Sequence, residues 1–153
     1  MGRYEEVLKG CEVEVKETNR LPKGFDGWYQ NGYIFIRPTL PEREKLQILY
    51  EELGHHKLTY GNILDQSQFN NRKFENYARR YSCETSMPLP DIIEAFKQGV
   101  HNLYELANFF GITEGFALDC IEHYKKKHGI NTFIDDYLIE FEPLRVFKYK
   151  KID

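Results

Sequence analysis

The amino-acid sequence predicts an α+β fold: a small antiparallel sheet packs on two successive helices, followed by a small helical segment and an extended C-terminal tail. Three observations predict it. Two short apolar strands flank an Asn-Gly dipeptide, an amphipathic helix follows them, and glycines then separate three more helical segments. With 153 residues, the chain is long enough to bury an ordinary core. We expect a core domain at residues 1–90, a helical segment at 91–129 packed on it, and a tail at 130–153.

Charge and cysteine content argue against several classes of protein. The net charge of -3 provides no global basic field, so we expect no direct binding to nucleic acid or to an anionic membrane. The three cysteines are an odd number at irregular spacing, which is typical of reduced thiols in an intracellular protein. The N-terminus lacks the apolar core of a signal peptide, and no window approaches the roughly 20 apolar residues of a membrane span. We therefore expect a cytoplasmic protein.

The N-terminal part of the chain predicts strands. After a short helical opening at residues 3–9, the segment 11–16 alternates apolar and charged residues, as a strand with one wet face does. Residues 28–37 predict two further strands around Asn31-Gly32, a dipeptide that favours a type I′ hairpin turn. The sheet is therefore expected immediately before the next helix.

That helix is predicted from near Thr39 to His56. Thr39 and Glu42 have the form of a capping box, in which Thr39 is the N-cap and Glu42 reaches back to it. Pro41 is tolerated in the first turn. The core face is formed at helical spacing by Leu46, Leu49, Tyr50 and Leu53.

The rest of the chain predicts more helices and then extended structure. The polar segment 59–71 is long for a loop in a compact domain, and we expect it to act as a lid. A second helix is predicted at about 71–85. Three further helical segments are predicted at 91–98, 102–110 and 113–128, capped by Asp91, Asn102 and Thr113. The last two segments resemble a helix-turn-helix, although acidic residues there would repel phosphates, so packing or protein docking is expected. Residues 133–149 predict strands.

Glu51, Glu52 and His55 form a motif that differs by one residue from the His-Glu-x-x-His motif of zinc peptidases. On a helix, Glu51 and His55 share a face, so both could bind one metal ion. Glu52 lies beside that face, where a general base is needed. A catalytic zinc needs about three protein ligands, and Glu75 on the second helix is the best candidate for the third. Gly54 would let another backbone segment approach closely.

Simpler explanations exist for each of these residues, and spacing alone does not decide between them. The segment can be a charged helix end whose histidines interact favourably with the helix dipole. Glu75, among four basic residues, can be a solvated ion-pair partner. His56 as a ligand would place Leu53 at the general-base position, so His56 is expected only to flank the site. Tyr60 or Tyr77 is a candidate to hydrogen-bond an oxyanion.

Most of the chain resembles the ImmA/IrrE family of metallopeptidases, especially its phage and mobile-element members. Four segments carry the resemblance: LPKGFDGWYQNGYIFIRPTL, EELGHH, ENYARRYSCETSMP and LYELANFFGITEGFALDCIEHYKKKHG. It implies a zincin-like core in which Glu52 is the general base and His55 and Glu75 bind zinc. Glu51 replaces the first histidine of the motif, and a carboxylate there can bind zinc, manganese or another divalent metal.

The resemblance also implies a function. It predicts a metal-dependent endopeptidase that acts as an antirepressor by cleaving a cognate helix-turn-helix repressor. Because Glu51 departs from the motif, a catalytically impaired module that sequesters the repressor without cleavage is an alternative. The toxin of a toxin-antitoxin pair is a third.

Overall fold

The computed structural model describes residues 2–58 and 71–149. It confirms the α+β class, with helices and two three-stranded sheets in the described part of the chain. The chain divides into two compact units, Met1–Thr85 and Ser86–Asp153. No helix within the described ranges has both the length and the apolar character that crossing a membrane requires.

The first unit contains the predicted hairpin and the helix with the Glu-Glu-x-x-His motif. Its elements are α1 (Arg3–Gly10), β1 (Glu14–Glu17), β2 (Gly27–Gln30), β3 (Tyr33–Ile36), α2 (Glu42–His56) and α3 (Asn71–Ser86), the last of which ends at the unit boundary.

The sheet of the first unit has the strand order β1-β3-β2. β2 and β3 pair antiparallel, as predicted, and the turn residues Asn31 (φ 50°) and Gly32 (φ 83°) both have the positive φ of a type I′ turn. β1 joins the other side of β3 in parallel orientation. β2 is therefore an edge strand of this sheet within the described residues.

The core of this unit lies between the sheet and α2. Ile34 and Ile36 alternate with more exposed residues along β3 and are fully buried, and α2 packs on both β2 and β3. Leu46 and Leu49 of α2 are also buried. Burial of each such side chain contributes about 1.5–3 kcal/mol, so this packing fixes the position of α2 on the hairpin.

The predicted capping box at Thr39 is wrong. Pro41 is the N-cap residue of α2, and the structure shows no hydrogen bond from a side chain to this helix end. Pro41 is extended (ψ 152°), and its carbonyl oxygen accepts from the N–H groups of Glu44 and Lys45 at 3.1 and 3.0 Å. Thr39 therefore lies outside the helix, while Glu42 and Glu44 place negative charge in the first turn, where the helix dipole favours it.

The second unit contains three helices and then three strands within its described residues. They are α4 (Leu89–Lys97), α5 (Leu103–Phe110), α6 (Glu114–His128), β4 (Asn131–Ile134), β5 (Tyr137–Phe141) and β6 (Leu144–Lys148). The predicted caps of α5 and α6 are confirmed, because Asn102 accepts from the N–H of Glu105 and Thr113 from that of Phe116. α4 begins earlier than predicted, so Asp91 lies in its first turn and is not its cap.

The predicted extended tail is an antiparallel meander in the order β4-β5-β6. Asp135 takes a positive φ of 50° in the turn between β4 and β5. Ile139 and Phe141 of β5 are buried, and the Phe141 ring stacks on Tyr124 of α6 with 6.0 Å between centroids. The meander therefore has an apolar face packed on α6.

Candidate functional site

The C-terminal half of α2 crosses α3 at very short range. A Cβ atom built on Gly54 would lie 2.9 Å from both the Cα and the carbonyl oxygen of Ala78. Carbon atoms in ordinary contact are about 3.5–4.0 Å apart, so only glycine allows this approach. The expectation that another backbone segment would lie close to Gly54 is thus confirmed. The crossing brings Glu75, one turn before Ala78, next to His55.

His55 lies between two carboxylates. Its Nδ1 is 3.1 Å from Oε2 of Glu52, on the same helix, and its Nε2 is 3.3 Å from Oε1 of Glu75, on α3. The side chains of His55 and Glu52 are 16% and 10% exposed, whereas that of Glu75 is 64% exposed. The imidazole therefore connects a buried carboxylate to one at the surface.

Glu52 is held against the edge strand β2. A Cβ atom on Gly27 would lie 3.2 Å from Oε1 of Glu52 and 2.3 Å from Cγ2 of Ile48. A side chain at position 27 would therefore displace the Ile48 side chain and press on the Glu52 carboxylate. Gly27, the first residue of β2, therefore lets this strand pack closely against the buried Glu52.

Glu51 shares the electrostatic environment of the other two carboxylates. Its Oε1 accepts a hydrogen bond of 3.4 Å from Nε2 of Gln47, one helical turn earlier. Burial raises the pKa of Glu51, the bond from Gln47 lowers it, and the negative charge of Glu52 raises it further. The positive charge of Arg79 lowers the pKa of Glu51, and the negative charge of Glu75 raises it. The pKa of Glu51 is raised overall. Protonation, or a cation bound nearby, would relieve the repulsion between these carboxylates.

The pKa of His55 is also raised. Burial by itself lowers it, but the hydrogen bond to Glu52 and the negative charges of Glu52 and Glu75 together outweigh that effect. The site thus favours positive charge on the imidazole. Since a metal ion would replace a proton at Nε2, the same carboxylates would also favour a bound cation.

His56 faces a partner on the hairpin. Its Nδ1 is 2.8 Å from the hydroxyl oxygen of Tyr29, and the two rings meet edge to face with 5.5 Å between centroids. This contact joins β2 to the end of α2, in keeping with the flanking position predicted for His56. Tyr60 and nearly all of the predicted lid lie outside the described residues. Tyr77, the other candidate to bind an oxyanion, has its ring centroid 6.0 Å from the guanidinium carbon of Arg80.

Gly27, Tyr29 and Gln47 contact the site but are not predicted from the sequence. Gln47 lies four residues before Glu51, so helical spacing could have identified it. The two hairpin residues gave no comparable signal, because their contacts with α2 depend on how the sheet packs on the helix.

Two donor atoms, Nε2 of His55 and Oε1 of Glu75, are spaced as the ligands of one divalent cation would be. In a tetrahedral site with ligand bonds of about 2.1 Å, neighbouring ligand atoms are about 3.4 Å apart. The 3.3 Å between Nε2 of His55 and Oε1 of Glu75 matches this separation. Within the described ranges, the structure shows no group of three His, Cys, Asp or Glu residues that could hold a metal ion. His55 and Glu75 are thus spaced as two metal ligands would be, and no third such side chain joins them within the described ranges.

Comparisons with known proteins identify the family of the chain and one similar fold. The family model described as the IrrE N-terminal-like domain, a peptidase family, matches residues 16–120, which include the whole site. No curated protein matches. A solved structure named as a Mycobacterium tuberculosis transcriptional regulator is similar, with a TM-score of 0.56 and 11% identity. The similarity covers 78% of this chain and 39% of that one, so this chain spans about two fifths of the regulator's length and the likeness bears on the fold alone.

Proposed function

This chain belongs to the IrrE N-terminal-like domain family, and from that membership we propose that it is a metal-dependent endopeptidase. We propose further that it acts in the cytoplasm as a phage or mobile-element antirepressor that cleaves a cognate helix-turn-helix repressor. The observation that carries the proposal is the meeting of His55 and Glu75, from two helices, beside the buried carboxylate of Glu52.

The metal would be held by the residues around His55. Nε2 of His55 and the carboxylate of Glu75 are the first two ligands, and Glu51, on the same face of α2 as His55, is the proposed third. Two carboxylates and one imidazole suit zinc, and they also suit manganese better than a histidine-rich set would. When bound, the cation supplies the Lewis acidity that polarises a peptide carbonyl and makes water more acidic.

Glu52 is the proposed general base. It is buried, lies next to His55 and is held against the first residue of β2. Its carboxylate accepts a proton from the attacking water and then passes it to the amine that leaves. The position of the carboxylate supports this role, because it lies beside His55 and is packed between α2 and the edge strand β2.

The substrate is proposed to be an extended peptide. β2 lies at the edge of the sheet within the described residues, and it runs alongside the part of α2 that carries Glu52. An extended chain that pairs with this strand would gain main-chain hydrogen bonds and pass the site. The choice of a repressor as the substrate rests on the ImmA/IrrE resemblance, and the name of the similar regulator agrees with a role in transcription control.

Incubation with the cognate repressor and either zinc or manganese tests the proposal. Mass spectrometry is expected to detect two complementary repressor fragments with the wild-type chain and none with Glu52→Gln. Glu122→Gln, which removes an exposed carboxylate of α6, serves as the control and should cleave like wild type. An intact repressor in every metal-loaded sample would contradict the proposed activity.

A second candidate is a binding module that sequesters the repressor without cutting it. The observation that favours it is that no three-residue metal group occurs in the described part of the chain. This module predicts a tight complex with the repressor in the presence of a chelator. It also predicts that Glu52→Gln relieves repression in cells as well as wild type does.

A further inference from the structure

We propose that Glu52 is also a positioning residue, which holds the His55 ring so that Nε2 faces Glu75. This inference rests on the proposed metal site and adds a role to the residue proposed as the base. It concerns the hydrogen bond between Oε2 of Glu52 and Nδ1 of His55, which is 3.1 Å long.

The hydrogen bond between Glu52 and His55 has a defined direction. An ionised carboxylate can only accept hydrogen bonds, so Nδ1 of His55 must donate. A neutral imidazole carries a single N–H, and its second nitrogen then presents a lone pair. With the hydrogen on Nδ1, the lone pair lies on Nε2, the atom 3.3 Å from Oε1 of Glu75. Glu75 could accept from Nε2 in the same way, but its side chain is 64% exposed to water, whereas that of Glu52 is 10% exposed. A buried carboxylate loses more when it has no donor, so Glu52 selects the tautomer and the ring orientation that a metal ligand needs.

Glu52 itself has little freedom to move. The residue is only 8% exposed and lies one helical turn before His55. Its other oxygen, Oε1, is packed by Gly27 of β2, where even an added Cβ would lie only 3.2 Å away. Packing of the edge strand on α2 therefore fixes the carboxylate, and the carboxylate fixes the ring. A ligand supported in this way keeps its productive geometry.

The base and positioning roles can be separated by substitution. Glutamine keeps a carbonyl oxygen that accepts a hydrogen bond from Nδ1, but it cannot act as a base at neutral pH. Leucine has similar volume and no acceptor. Glu52→Gln therefore removes the proposed base and the negative charge but keeps an acceptor for His55, whereas Glu52→Leu removes all three.

Metal affinity provides the first test. Both variants lose the negative charge of Glu52, so the comparison between them isolates the hydrogen-bond acceptor. Zinc affinity, measured by competition with a chromophoric chelator, is expected to be about 10–100-fold weaker in Glu52→Leu than in Glu52→Gln. Cleavage of the repressor is expected to be lost in both. If both variants bind zinc and do so with equal affinity, the positioning role is overturned. Circular dichroism reports whether each variant is folded.

The positioning role of Glu52 can also be tested on the metal-free protein, so that this test does not depend on the proposed function. Nitrogen-15 NMR of the histidine rings, at alkaline pH where His55 is neutral, is expected to show the Nδ1–H tautomer in the wild-type chain and in Glu52→Gln. In Glu52→Leu the signal should shift toward the Nε2–H tautomer. A wild-type His55 in the Nε2–H form overturns the inference without any variant. If the wild type binds no metal but shows the Nδ1–H form, the proposed function fails and the positioning role stands.

Discussion

Gly54→Ala is the most direct perturbation of the helix crossing that builds the site. The substitution adds one methyl group at the point where a Cβ atom would lie 2.9 Å from the Cα and carbonyl oxygen of Ala78. The obstacle is backbone, which cannot rotate away as the end of a flexible side chain can. α3 must therefore move away from α2, by roughly 0.6–1 Å if ordinary carbon contacts of about 3.5–4.0 Å are to be restored.

The expected effect on stability is the balance of two opposing contributions. Replacing glycine by alanine inside a helix stabilises by about 1 kcal/mol. Forcing an extra methyl into a tight contact costs about 1–3 kcal/mol, and a clash with backbone belongs at the upper end of that range. We therefore expect the free energy of unfolding to fall by about 1–2 kcal/mol. Because Glu75 moves with α3, zinc affinity should fall as well.

Urea denaturation followed by circular dichroism measures the change, and Gly10→Ala is the matched control. Gly10 is the last residue of α1, and a Cβ atom there would meet nothing within 4 Å. This control is expected to be neutral or to stabilise by up to about 1 kcal/mol. If Gly54→Ala were as stable as Gly10→Ala, the close crossing of α2 and α3 would be refuted.

Three other substitutions have defined outcomes. Glu75→Gln should weaken zinc binding in calorimetry by at least about 10-fold with unchanged unfolding, because the side chain is 64% exposed; a zinc affinity equal to that of Glu122→Gln would contradict its role as a ligand. Tyr4→Phe should stabilise by about 1 kcal/mol, since the buried Tyr4 hydroxyl has no hydrogen-bond partner in the described part of the chain. Burial, with smaller contributions from Glu17 and Cys11, raises the pKa of Tyr4 from 10.0 to about 12. The folded state thus favours the neutral phenol. The contribution of this preference to the free energy of unfolding is complete below pH 10 and is lost as the pH rises through 12. The advantage of Tyr4→Phe should therefore grow across that interval, and urea titrations showing a constant difference would contradict the shift. Tyr124→Phe should destabilise by about 1 kcal/mol, because its hydroxyl donates to the carbonyl oxygen of Met87 at 2.8 Å; an unchanged urea midpoint would argue against that bond.

Local patterns in the sequence were sufficient to predict most elements. Asn31-Gly32 predicted the hairpin turn because type I′ turns need two residues with positive φ, and both have it. Asn102 and Thr113 predicted helix starts because their side chains accept from N–H groups three residues later. The same rule predicted Thr39 as the N-cap of α2, and that prediction is wrong, because the carbonyl oxygen of Pro41 accepts the first hydrogen bonds of the helix. Two competing caps in one segment cannot be ranked from spacing alone.

Contacts between distant parts of the chain set the limit of prediction. The parallel pairing of β1 with β3 depends on the path of the chain between them, which no local pattern specifies. In the site, helical spacing placed Glu51, Glu52 and His55 together, and Gly54 predicted a close backbone approach. Tyr29 could not be predicted, because its contact with the end of α2 depends on how the hairpin packs on that helix.

The proposed function depends on a divalent metal held by His55 and Glu75. Metal analysis of the purified chain, followed by anomalous diffraction at the absorption edge of the metal found, tests it most directly. We expect about one metal ion per chain and an anomalous peak bonded to Nε2 of His55 and to the Glu75 carboxylate. A well-folded chain that remains metal-free in the presence of zinc and manganese, or a peak away from these two atoms, would contradict the claim.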